Sequence, residues 1–323
     1  MPSPAETVAA TLARIASFPV AADTAWVFPG QGAQAVGMGA DLYEQLPAAR
    51  AVFDVADAAL GISLSSLCFT GPEADLTQTV NTQPALVTHA VAALVAALDA
   101  GTLTHRPAFV AGHSLGEYAA LVAAGSVTFD VGVRLVRARG EAMQAACDAQ
   151  PSTMAAILGM EPDALRAAIT PHGASLCNIN APGSITIGGT VAAVEAASAA
   201  ATAAGASRVV PLTVAGAFHT PLMAGAAERM RVALVGTAFG NPTMPVVSNV
   251  TATPLTSGTA FAAELEQQIT APVLWLASVS AMQAAGVTKF IEFGPGKVLS
   301  GLLKRIDRAF DVRNIGTVEE VRA

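Results

Sequence analysis

Apolar residues fall into short runs punctuated by glycine and proline, with strand-like and helix-like patterns alternating along the chain. Residues 25–28 read Ala-Trp-Val-Phe, a buried strand that opens into the turn-forming Pro29-Gly30-Gln31-Gly32-Ala33-Gln34. Helical stretches follow, broken at Gly61 and at Gly71-Pro72, up to a long helix over residues 83–100. The apolar run 108–111 predicts a second strand, and the alanine-rich 118–124 predicts a helix that Gly125 stops. Residues 131–147 carry a helical period, and further strands are predicted over 245–250 and 288–293, the latter ending in Gly294-Pro295-Gly296.

The pattern changes between residues 151 and 213. Strands over 153–158, 174–179, 184–187 and 207–212 interleave with helices over 162–170 and 190–204, with Asn180-Ala181-Pro182-Gly183 as a turn. The order β-α-β-β-α-β is the ferredoxin-like arrangement. The sequence therefore predicts an α/β protein: a large α/β-hydrolase-like domain with a parallel sheet (residues 23–150 and 214–315), a ferredoxin-like insert (151–213) and an N-terminal extension (1–22). Residues 5–18 of that extension predict a short amphipathic helix lying on the body, without a signal-peptide pattern.

Composition narrows the setting. Hydrophobic content is 53% against 13% charged residues, but alanine carries much of it. The apolar run 90–98 ends at Asp99, short of the roughly 18 residues a spanning helix needs, so no membrane span is expected. Cys68, Cys147 and Cys177 lack metal-ligand spacing and are odd in number, which points to a reducing cytoplasm and no metal site. The net charge of −7 disfavours nucleic acid. The segment from Lys289 to the end nevertheless carries seven basic residues against five acids, which suits either an acidic partner or solvated helix charges.

The candidate chemistry centres on Gly112-His113-Ser114-Leu115-Gly116, a G-x-S-x-G pentapeptide between a strand and a helix. Such a turn projects a serine hydroxyl at the carboxyl end of a parallel sheet and aims backbone N–H groups at its target. The same residues also suit a helix-entry turn with Ser114 as N-cap. A serine nucleophile needs a base. His219, preceded by Gly216 and Phe218 and followed by Pro221, fits a cleft rim, whereas His89, His105, His113 and His172 have structural or solvated contexts. No acid of a hydrolase triad is evident, because Asp130, Asp148 and Asp163 sit at helix starts or turns. Arg139 shares the inward face of its helix with Leu135, Val136 and Met143; a buried cation there calls for an anion, either a structural carboxylate or a substrate carboxylate.

These residues, with Thr82-Gln83-Pro84-Ala85-Leu86, Arg134-Leu135-Val136-Arg137-Ala138-Arg139-Gly140, Asn178-Ile179-Asn180-Ala181-Pro182-Gly183 and Gly294-Pro295-Gly296-Lys297-Val298-Leu299, resemble malonyl-CoA:acyl-carrier-protein transacylases of fatty acid or polyketide synthesis. The resemblance runs from about residue 25 to 306. It implies Ser114 as acylated nucleophile, His219 as base, the N–H groups of Gln31 and Leu115 as oxyanion hole, and Arg139 as holder of the malonyl carboxylate. It also implies that the backbone carbonyl of Gln268 orients His219, which accounts for the missing acid. Phe218 before the histidine accompanies malonyl rather than methylmalonyl in that family. The implied partners are malonyl-CoA and acyl carrier protein, the latter meeting Lys297, Lys304, Arg305 and Arg308, with no cofactor beyond the coenzyme A thioester. Alternatives at the same site are an acyl hydrolase that edits carrier-bound acyl groups, or transfer from another acyl-CoA. A carrier-binding module without catalysis is a further rival.

Overall fold

The computed structural model describes residues 2–323. Ten strands occur in chain order: β1 (Val20–Phe28), β2 (Arg106–Gly112), β3 (Ser152–Leu158), β4 (Ser175–Ala181), β5 (Ser184–Thr190), β6 (Arg208–Pro211), β7 (Val246–Val247), β8 (Pro254–Leu255), β9 (Lys289–Phe293) and β10 (Asp311–Ile315). They form two sheets, of order β10-β9-β1-β2-β7-β8 and β4-β5-β3-β6. The first is parallel except where β8 turns back on β7, and the second is antiparallel throughout.

β1 begins at Val20, inside the segment set apart as an extension, rather than at Ala25. Its last five residues are buried, the final four (Ala25–Phe28) as a continuous apolar run, whereas its first four alternate between exposed and half-buried positions and include Asp23. Ahead of it, helix Pro4–Ala13 is closed by a Ser3–Glu6 capping box and buries Val8 and Thr11. The strand predicted over 245–250 shrinks to Val246–Val247, because the chain turns at Ser248-Asn249 to serve the site.

Helix Thr79–Asp99 is long and apolar enough to cross a membrane, but 89% of its most apolar window is buried inside the protein. It is a core helix, buried all round from Thr82 to Leu98. Pro84 within it cannot donate to the carbonyl of Val80, which instead accepts from Arg137 Nη1 at 3.4 Å. Helix Phe129–Ala149 packs against it closely because residue 140 is glycine: a Cβ there would lie 2.9 Å from the Thr79 carbonyl oxygen. That approach brings Arg139 beside Gln83.

The antiparallel sheet is joined to the larger body through β4. Ile179 N–H donates to the Val273 carbonyl at 2.9 Å, and Val273 N–H donates to the Cys177 carbonyl at 2.9 Å. Asn180 and Ala181 lie in the strand, so Pro182-Gly183 alone makes the turn into β5, with Gly183 at φ 60°.

Candidate active site

β1 and β2 end level, with Phe28 opposite Gly112, and β7 ends beside them. Pro29, His113 and Ser248 therefore all leave the parallel sheet at its carboxyl edge. At that edge the chain reverses within Gly112–Gly116. His113 N–H donates to Phe28 O at 3.0 Å, Gly116 N–H donates to His113 O at 3.0 Å, and Ser114 is forced to φ 51°. A left-handed serine costs about 1–2 kcal/mol, so the surroundings must impose it. The two glycines serve this backbone packing rather than access for an acyl group. A Cβ on Gly112 would lie 1.9 Å from Gly116 C, and one on Gly116 would lie 2.1 Å from Phe28 O. Asn249 clamps the turn, accepting from Ser114 N–H at 2.6 Å and donating to Gly112 O at 2.6 Å.

Ser114 Oγ lies 2.7 Å from His219 Nε2. His219 Nδ1 lies 2.8 Å from the backbone carbonyl of Gln268. A carbonyl only accepts, so the proton sits on Nδ1 and Nε2 keeps its lone pair toward the hydroxyl. His219 is 4% exposed, and burial, reinforced by the Arg139 charge, lowers its pKa to about 3. It is therefore neutral at pH 7. Like Ser114 it has a positive φ, 61°. Ser152 Oγ accepts from Ala217 N–H at 3.0 Å, and Thr220 Oγ1 donates to Ala217 O at 2.6 Å, which brackets the segment that carries it.

Arg139 is 1% exposed and has no carboxylate within ion-pair distance among the described residues. Its partners are neutral: Nη1 donates to Gln83 Oε1 at 2.9 Å, and Nη2 donates to Gln268 Oε1 at 2.9 Å and to Ser114 Oγ at 3.1 Å. Its Nε–H is buried without an acceptor. Burial lowers the guanidinium pKa. Arg137 is more engaged than a solvated residue, pairing with Glu141 at 2.7 Å and donating to Asn81 Oδ1 at 2.9 Å.

Ser114, His219, Arg139, Gln31, Leu115 and Phe218 all line one cleft of about 460 Å³, together with Gln83, Met143 and Met154. The N–H groups of Gln31 and Leu115 have no hydrogen-bond acceptor among the described residues. Gln268 lies behind this wall, fully buried. His113 points to the other sheet, with Nε2 2.8 Å from Asn180 Oδ1.

Three participants were given no role from the sequence: Asn249, which no motif contained, and Gln83 and Glu117, which lie within family-like motifs but whose contacts with Arg139 and Gln268 were not legible. Each is defined by a contact across 56 or more positions in the chain. The basic residues separate. Lys297 follows β9 at the carboxyl edge, near the Glu320 carboxylate at 4.0 Å. Helix Val298–Ile306 then runs back toward the start of β10, taking Lys304, Arg305 and Arg308 to the opposite edge of the sheet, away from Ser114. Of the four basic residues expected to meet the carrier, only Lys297 lies at the edge that holds Ser114.

Residues 25–319 match the acyl transferase domain family. The chain is 47% identical over 289 residues to a malonyl CoA-acyl carrier protein transacylase of Bacillus subtilis, covering 88% of this chain and 90% of that protein. An acyl carrier protein S-malonyltransferase from Vibrio cholerae superposes with a TM-score of 0.89 at 41% identity, covering 93% of this chain and 98% of that one. A malonyl-transacylase solved in complex with its type II polyketide acyl-carrier protein gives 0.87 at 38% identity, covering 93% and 97%. The chain belongs to the malonyl-CoA:acyl-carrier-protein transacylases of the acyl transferase domain family.

Proposed function

We infer that the protein moves a malonyl group from malonyl-CoA to the phosphopantetheine thiol of an acyl carrier protein through a malonyl-serine intermediate. The observation that carries this reading is a buried guanidinium without a counter-ion, 3.1 Å from a serine hydroxyl that a neutral histidine also holds. A nucleophile, its base and a reader of carboxylate thus face one cleft.

In the first half-reaction Ser114 Oγ attacks the thioester carbonyl as its proton passes to His219 Nε2. The carbonyl oxygen, now anionic, is received by the N–H groups of Gln31 and Leu115. The C–S bond breaks, and coenzyme A leaves with the proton from the imidazolium. In the second half-reaction the carrier thiol gives its proton to His219, attacks the ester carbonyl and expels Ser114, which recovers the proton. The carbonyl of Gln268 holds Nδ1–H throughout, so no carboxylate is needed to fix the tautomer. Arg139 selects malonyl because an acetyl group would leave the buried charge unpaired. Phe218 forms an apolar wall beside the base, suited to malonyl rather than a branched analogue.

The finer architecture fits this reading. Numbered within residues 151–213, the antiparallel sheet has strand order 4-1-3-2, which supports a ferredoxin-like insert in a larger domain formed by 23–150 and 214–315. The nucleophile turn at the end of β2 supports a hydrolase-like architecture for the larger part. Three free, buried thiols support a cytoplasmic setting.

The test is intact-protein mass after brief exposure to malonyl-CoA or acetyl-CoA, with Ser114→Ala in parallel. A malonyl adduct on the wild-type chain alone, with little acetyl adduct, is the expected result. Equal acetyl labelling overturns Arg139 as selector, and release of coenzyme A without any adduct favours a hydrolase.

A further inference from the structure

Glu117 immediately follows the last glycine of the nucleophile turn and lies in the first turn of helix Gly116–Ala123. Its side chain is turned inward and is 1% exposed. No carboxylate is required at a helix start beside an apolar core, and burying one without an ion pair is costly. Its contacts explain its place. Glu117 Oε2 accepts a short hydrogen bond from Gln268 Nε2, while Glu117 Oε1 has no partner.

Gln268 is the residue where the site's functions meet. Its backbone carbonyl holds His219 at 2.8 Å, its Oε1 accepts from Arg139 Nη2 at 2.9 Å, and its Nε2 also donates to the Ser114 carbonyl at 3.0 Å. A terminal amide has two nearly isosteric orientations, and only one presents oxygen to the guanidinium. The reverse orientation would set an NH2 group against Arg139 and oxygen against both Glu117 and the Ser114 carbonyl.

We propose that Glu117 is a positioning residue: by accepting at Oε2, together with the Ser114 carbonyl, it holds the Gln268 amide with oxygen toward Arg139, and so aims the guanidinium that reads the acyl carboxylate. The assignment rests on the reading of Arg139 given above. Oε2 accepts when the carboxyl is ionised, and equally when the carboxyl carries its proton on Oε1. Burial, together with the nearby Glu264 carboxylate, raises the Glu117 pKa well above the usual range. The Gln268 amide, the Asn249 backbone and the Arg139 charge oppose that rise.

The test compares malonyl and acetyl transfer to carrier protein in Glu117→Met, Glu117→Gln and Gln268→Met, with thermal melting of each. Gln268→Met keeps the backbone carbonyl that holds His219, so it isolates the side-chain amide. Glu117→Met should lower the malonyl-to-acetyl ratio of kcat/KM by about tenfold, the scale of one charge-assisted hydrogen bond. Glu117→Gln retains an acceptor oxygen and should stay within about threefold of wild type. In a Gln268→Met background, Glu117→Met should change the ratio no further. A ratio unchanged in Glu117→Met, or additive losses in the double variant, overturns the proposal. If Glu117→Met does not fold, a tenfold loss of ratio in Glu117→Gln overturns it equally. Should Arg139→Met also leave the ratio unchanged, the reading of Arg139 itself fails, which separates the two outcomes.

Discussion

Replacing Arg139 by methionine removes the guanidinium while keeping an unbranched side chain of similar reach. The native group is 1% exposed, so an acyl carboxylate arriving beside it meets a charge almost free of solvent screening. Truncating one partner of such a buried charge pair costs about 2–5 kcal/mol. At 1.36 kcal/mol per tenfold, kcat/KM for malonyl-CoA should fall by about 30-fold to several thousand-fold. Acetyl transfer never engages the charge and should change by no more than about fivefold, so the substrate ratio carries the information. Fold stability should move little. The variant loses hydrogen bonds to Gln83 and Gln268, but it also sheds the desolvation cost of a cation without a counter-ion. Urea unfolding should place the two proteins within about 2 kcal/mol of each other. The assay is initial-rate transfer of malonyl and acetyl groups to holo carrier protein over a range of acyl-CoA concentrations. Equal losses for both acyl groups in a folded variant would refute the argument, because Arg139 would then act on the nucleophile and not on the substrate.

The remaining predictions concern the base and the clamp. With His219 held near pKa 3, kcat/KM should stay level from pH 7 to 5 instead of halving near 6.5; an acid limb at 6.5 in the free enzyme would refute the burial argument. The same depression makes stability fall with acid. The unfolded imidazole binds a proton below about 6.5 while the folded one does not; His89, lowered to about 4, and His113, also lowered by burial, add two more such groups. The loss approaches 1.4 kcal/mol per pH unit per histidine inside that window, offset where the raised Glu117 takes up its own proton, and urea unfolding at pH 7 and 5 measures the balance. Asn249→Ala should lower kcat about tenfold or more for malonyl and acetyl alike, leaving their ratio intact, because it loosens the turn that aims Ser114. A changed ratio would place Asn249 against the acyl group instead.

How much of this could be read from the chain depended on whether a signal was local. The nucleophile turn was legible because its geometry is written in consecutive residues, where Gly112 and Gly116 leave room for backbone against backbone. The inward place of Arg139 was legible from helical spacing, and of the two anions that reading left open, no structural carboxylate pairs with it among the described residues. Asn249 was not legible, since an asparagine in Val246-Val247-Ser248-Asn249 carries no mark of the strand edge it closes. β1 read short because only its buried half is continuously apolar, and β10 was missed because Asp311-Val312-Arg313-Asn314-Ile315 is an edge strand with exposed or half-buried positions up to its last residue. The split of the basic residues between the two edges of the sheet was not legible, because spacing along a helix gives no sign of which end of the sheet the helix returns to.

The seam between β4 and Val273 has a mechanical consequence. Two backbone hydrogen bonds there, with the His113–Asn180 bond above them, tie the lips of the cleft into one hydrogen-bonded body. Any motion that separated the two sheets at this seam would have to break these bonds, which favours a fixed slot over a jaw. Coenzyme A and the carrier present the same slender pantetheine tether, and a fixed slot admits the tether while the bulky bodies behind it remain outside. The two half-reactions can therefore share one passage in turn.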